Sequence, residues 1–144
     1  METHASTALL FPMVALVAIS FAVLLRLFRQ RARSVRAGQV SADYFAAYQG
    51  DSREPVASIQ LARHFTNLFE APVLFYAACL AALATQIASP VLTGLAWGYV
   101  ALRAVHTWIH TGSNALRPRI AAYFGSWCVL LTMWAWLAVA AASR

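Results

Sequence analysis

The sequence predicts an all-α protein, a four-helix bundle that spans a membrane. Composition is the first reason. Of 144 residues, 61% are apolar and only 11% are charged, whereas soluble domains carry about 25% charged residues. Distribution is the second. The apolar residues collect in four runs, at about 8–25, 65–88, 91–109 and 121–142, each close to the roughly 20 residues a helix needs to cross a bilayer. The length suits a single domain, 1–144.

The first run is expected to remain in the mature protein. A signal peptide carries its positive charge before its apolar stretch; here Met1 to Thr7 holds no Lys or Arg, and the arginines follow. No helix breaker occurs between Leu27 and Arg36, so the first helix should continue out of the membrane until Gly38. A loop of about 26–63 comes next. Asp51 and Ser52 are candidate caps, and Pro55 suits the first turn of the second helix. Ser89-Pro90 separates the second and third runs, and proline cannot continue a helix, so a tight antiparallel turn is expected there.

Charge sets the orientation. The net charge of +6 comes from arginine alone. Arg26, Arg29, Arg31, Arg33, Arg36, Arg53 and Arg63 lie between the first and second runs, and Arg117 and Arg119 between the third and fourth. Only Arg144 falls on the other side. The positive-inside rule places both arginine-bearing loops in the cytoplasm and both termini outside it; the expected membrane is a bacterial inner one. Arginines that border apolar spans point to anionic lipid headgroups rather than nucleic acid. Trp97, Trp108, Tyr123 and Trp127 lie near span ends as belt or packing residues, with Trp134 and Trp136 deeper. Cys79 and Cys128 sit in apolar runs as small buried side chains, without metal-ligand spacing. Neither a disulfide nor a metal site is expected.

The informative residues are the polar ones that lipid should exclude. Arg63, Asn67 and Glu70 are spaced four and three apart, on one helical face. Tyr99, Arg103, His106 and His110 form a second stripe on the third helix. Glu70 lies about 10 Å along its helix from Arg63, and Arg103 about 10 Å from His110. Glu70 and Arg103 should therefore reach similar depth and pair, directly or through a ligand. Pro72 removes the helical bond to the Leu68 carbonyl. Packing alone would explain one such residue, but two facing stripes suggest a site. Above Glu70 the helix turns to Leu74, Ala77, Ala78 and Ala81, so the polar path stops halfway across.

The stretch Arg63-His64-Phe65-Thr66-Asn67-Leu68-Phe69-Glu70-Ala71-Pro72 resembles the helix-2 signature of the MAPEG family, the membrane-associated proteins in eicosanoid and glutathione metabolism. The run Arg103-x-x-His106-Thr107-x-x-His110, the downstream Asn114 and Arg119 resemble a small bacterial branch of that family. The resemblance implies a left-handed bundle, a homotrimer, and glutathione as cosubstrate between protomers in the cytoplasmic half. It implies that Arg63, Asn67 and Glu70 hold glutathione's charged ends. Arg103, His106 and His110 would line the same site, and Arg119 would stabilise the thiolate. Eicosanoid-type members have Tyr where His110 stands.

The leading expectation is a glutathione transferase or peroxidase acting on lipophilic electrophiles or lipid hydroperoxides. A non-catalytic lipid-binding or scaffold protein on the same fold is the alternative. A small transporter ranks last, because its polar path is incomplete.

Overall fold

The computed structural model describes residues 7–48, 53–87 and 89–143. Asp51 and Ser52, the expected caps, lie outside the described residues.

The first apolar run folds as α1, Leu10–Arg36, and continues past the apolar stretch as its uninterrupted sequence suggests. Gly38 stops it. This residue takes φ 68°, the left-handed conformation that a glycine adopts without steric cost. The Gln39 N–H then reaches the Ser34 carbonyl at 3.0 Å, closing the helix end. A short helix, α2, spans Tyr44–Ala47. It is strapped to α1 through Arg31, whose guanidinium carbon lies 4.8 Å from the Phe45 ring centre. Arg31 also pairs with Glu54 at 3.0 Å. Glu54 in turn accepts a hydrogen bond from the Ser58 hydroxyl. The basic loop is therefore structured around one of its own arginines.

The second apolar run forms two helices, not one. α3 covers Val56–Asn67, begun by Pro55, and α4 covers Ala71–Ala84. Glu70 adopts φ −90°, ψ −99° at the start of α4. Pro72 is the sequence cause: it has no N–H for Leu68, so the ladder breaks and restarts. α4 also ends before the expected Ala88. Gln86 takes φ 57°, and the Ile87 N–H returns to the Ala82 carbonyl at 2.9 Å. The turn is thus longer than Ser89-Pro90 alone. Ser89 caps the next helix, its hydroxyl accepting from the Leu92 N–H at 3.2 Å.

α5 spans Pro90–Thr111 and α6 spans Leu116–Ala142. These two make the most extensive helix pair. α1 packs on α3 and α5, and α4 packs on α6. It is α3 whose backbone comes close to α5; α4 meets α5 through Phe75 and Tyr99, whose rings stack at 4.6 Å. Leu16, Phe75, Leu92, Tyr99 and Met133 form the centre of the core.

Outside this core the bundle is apolar. Phe11, Phe21 and Phe28 on α1, and Phe124, Leu131 and Val139 on α6, are exposed. Leu10–Arg36, Val56–Ala84 with its break, and Leu116–Ala142 are each long and apolar enough to cross a membrane. α5 does not meet that criterion, since its 22 residues include the polar stripe. Its Arg103 and His106 are turned inward and buried. The architecture is an all-α membrane helical bundle, as its composition predicts. Cys79 is buried as expected, whereas Cys128 is exposed on α6. The expectation for Cys128 is corrected by helical phase: Ser126 and Leu130 take the buried face of that helix.

The α5–α6 connection is tight. A Cβ on Gly112 would stand 2.9 Å from the Trp108 carbonyl oxygen. Arg26 braces the same end, donating to the Thr111 hydroxyl and carbonyl, both at 3.1 Å. Gly112→Ala should therefore destabilise the protein by about 1–3 kcal/mol, the range for overpacking. Thermal unfolding in detergent checks this; an unchanged midpoint would show that the connection yields freely.

Candidate functional site

The break between α3 and α4 opens a cavity of about 450 Å³. That falls in the usual range for ligand sites, about 300–1,000 Å³. Arg63, Asn67, Glu70, His106, His110 and Arg119 line it. Six of the seven residues given a site role in the sequence thus meet at one cavity, whereas Tyr99 of the second stripe belongs to the core. The arrangement is possible because α3 delivers Arg63 and Asn67, the break before α4 delivers Glu70, α5 the two histidines, and the first turn of α6 brings Arg119.

Arg103 is the exception. It is fully buried and does not line the cavity. Nor does it form the expected ion pair with Glu70. Instead Arg103 Nη2 donates to Asn67 Oδ1 at 2.6 Å and to the Asn67 carbonyl at 3.2 Å. Asn67 Nδ2 then donates to Glu70 Oε2 at 2.9 Å. The physical reason is the helix break. Glu70 no longer continues the α3 stripe and is exposed toward the cavity, while the last residue of α3 takes the guanidinium. The amide transmits the interaction in one direction, from cation to carboxylate. Arg103 therefore positions Asn67 and, through it, Glu70.

Arg119 is half-buried. Its Nη1 donates to Asn114 Oδ1, and Asn114 holds the left-handed φ of 52° that ends the α5–α6 connection. The Arg119 carbonyl accepts from His106 Nδ1 at 3.1 Å. Arg117, by contrast, is exposed, as suits a residue at the membrane face.

Three cavity residues escape the sequence reading: Thr66, Ile120 and Tyr123. Tyr123 reads as a belt aromatic, but its ring stands 5.8 Å from the Arg103 guanidinium carbon and 5.6 Å from the His106 ring. Nothing in the local sequence separates those roles. His64 also escapes it. This residue is fully buried, and its Nε2 lies 3.0 Å from the Thr107 hydroxyl. A signal for it exists: Ser58, Leu61 and His64 are the buried residues of α3, three apart, so His64 falls on the core face of that helix.

His64, His106 and His110 form a cluster beside the cavity. Their ring centres lie 5.4, 4.7 and 5.5 Å apart. Among the described residues they form a group of donors close enough together to suit a metal ion. Chemically, the cavity offers cations for carboxylates, one carboxylate for an amine, and a cationic environment for a thiolate.

Comparison with known proteins bears on the whole chain. The model of the MAPEG family matches residues 9–139. Neither the curated proteins nor the solved structures gave a match.

Proposed function

Because the chain belongs to the MAPEG family, a family of membrane proteins in glutathione and eicosanoid metabolism, we propose that it binds glutathione and transfers it to lipophilic electrophiles, or uses it to reduce lipid hydroperoxides. The observation that carries this reading is the single cavity where Arg63, Glu70 and Arg119 face one space. Glutathione has two carboxylates, one amine and one thiol. Arg63 suits a carboxylate, which guanidinium groups grip bidentately. Glu70 suits the amine. Arg119 then stands for the thiolate, the nucleophilic form of the thiol. Exposed Ile120 is part of the lining, and exposed Phe69 and Phe124 are next in sequence to the lining residues Glu70 and Tyr123, so an apolar cosubstrate can approach from lipid while the peptide enters from water.

Orientation and assembly belong to the same proposal. The cavity lies at the bundle end that also carries the Arg31–Glu54 pair, which suits a cytoplasmic opening, with both termini on the far side. A homotrimer, implied by the family resemblance, would set a neighbouring copy against the apolar rim. Cross-linking in native membranes should trap a trimer; a product no larger than a dimer would remove that part.

Calorimetric titration of glutathione into detergent-purified protein is the direct test. Binding is expected, and Glu70→Ala and Arg63→Ala should each weaken it about 10- to 100-fold, the loss of one charge-assisted contact of about 1.5–3 kcal/mol. Wild-type protein that releases no heat and forms no conjugate with a generic aryl halide would overturn the proposal.

A further inference from the structure

The histidine cluster holds more polarity than glutathione binding requires. His64, His106 and His110 each keep one buried ring nitrogen without a hydrogen-bond partner: Nδ1, Nε2 and Nδ1 respectively. A buried polar atom left unpaired costs about 1–3 kcal/mol, and three beside one another are unusual. One ring nitrogen from each of the three lies within 4.8 Å of the others.

Two of the three rings, His64 and His106, are also held from behind as ligand rings are. His106 Nδ1 lies 3.1 Å from the Arg119 carbonyl. A carbonyl only accepts, so that nitrogen carries the proton and Nε2 of the neutral ring presents a bare lone pair. His64 Nε2 is held by the Thr107 hydroxyl at 3.0 Å, leaving Nδ1 as its unpartnered atom. Outer contacts of this kind orient metal-bound histidines; the carbonyl fixes the His106 tautomer, while the Thr107 hydroxyl, which both donates and accepts, orients the His64 ring. His106 and His110 are four apart on α5, the spacing by which one helical face offers two imidazoles to one ion.

We propose that His64, His106 and His110 form a three-imidazole site for a first-row transition metal ion of the Zn²⁺ class. At Zn–N bonds of about 2.0–2.1 Å, tetrahedral geometry needs nitrogens about 3.4 Å apart. The widest pair must therefore close by somewhat more than an ångström, within reach of side-chain rotation. Two of the ligands also line the cavity, so the fourth position opens toward it. Arg63 and Arg119 surround that opening with positive charge, which would repel a bare dication. The fourth ligand is therefore an anion, such as hydroxide or chloride. The cysteines argue against a zinc site, but they say nothing of a ring delivered from α3.

The test uses Zn²⁺ alone, without glutathione, on full-length protein purified through a tag free of histidine and stripped with a chelator. Equilibrium dialysis with elemental analysis should find one ion per chain. Co²⁺ in its place should give the strong visible absorption of a tetrahedral nitrogen site. His64→Ala and His110→Ala should each weaken binding at least about 100-fold, and Thr107→Val about 10-fold, the lower end for an outer contact. If His64→Ala does not fold, His110→Ala decides, since the His110 Nδ1 has no partner to lose. Substoichiometric Zn²⁺, or equal binding by wild type and His110→Ala, overturns the proposal. Glutathione binding is measured separately, so failure of one assignment is distinguishable from failure of the other.

Discussion

Arg119→Ala is expected to lower kcat for glutathione conjugation by about 100- to 1000-fold, the usual effect of removing one preorganised donor from a developing or resident anion. The reasoning rests on placement. Arg119 lines the cavity, and Asn114 Oδ1 holds its guanidinium. A cation fixed beside sulfur stabilises thiolate over thiol and lowers the thiol pKa. Removing it raises that pKa, so the variant should regain part of its rate as pH rises, while wild type should be flat over the same interval. Glutathione affinity should change far less than kcat, because Arg63 and Glu70 remain. Asn114→Ala, which loosens the guanidinium without removing it, should give a smaller loss. Stopped-flow conjugation across a pH series reads all three. Equal losses in kcat and affinity, with no alkaline recovery, would make Arg119 a binding residue instead.

Asn67→Leu should destabilise the bundle by about 1.5–3 kcal/mol, the usual cost of removing a hydrogen bond to a buried charge. Arg103 is fully buried, and its Nε and Nη1 already lack partners. Asn67 supplies both of the hydrogen bonds that its guanidinium makes among the described residues, one through Oδ1, which Leu removes, and one through the backbone carbonyl, which Leu keeps. In a membrane a lone polar contact is worth only about 0.6 kcal/mol on average, so a loss of about 1.5 kcal/mol or more would identify the buried charge as the source of the extra cost. The double variant Asn67→Leu/Arg103→Met provides the control. With no cation left to solvate, it should recover most of the lost stability, although glutathione binding should stay weak because Glu70 has lost its donor. Detergent unfolding of the two single variants and the double variant closes the cycle. A double variant no more stable than Asn67→Leu would exclude the buried-charge account.

Much of the architecture was legible because lipid imposes a simple rule. A spanning helix must be apolar for about 20 residues, so four apolar runs were visible without any tertiary information. The polar stripes were legible for the same reason: Arg63, Asn67, Arg103, His106 and His110 stand out only because the surrounding residues are apolar. Helical spacing could group residues within an element. It could not say that the second run breaks after Asn67, because Pro72 permits either a kink or a restart. Nor could it bring His64 to the other histidines. His64 sits one residue from Arg63, about 100° around the helix, and only the approach of α3 to α5 makes those two positions serve the cluster and the cavity respectively.

Taken by itself, the sequence determined that this chain is a membrane bundle and that the ionisable residues within its second and third apolar runs lie near one end of it. Both follow from the cost of placing charge in hydrocarbon, which acts residue by residue and needs no knowledge of neighbours. Tertiary structure alone decided the partners. Arg103 and Glu70 have opposite charges and similar depth, which suggested a pair; the break before α4 turned Glu70 to the cavity and left Asn67 to meet the guanidinium. Tyr123 became a wall of the cavity, and the histidines of two helices came together. Pairing depends on where two elements approach, and that is set by the packing of their apolar faces.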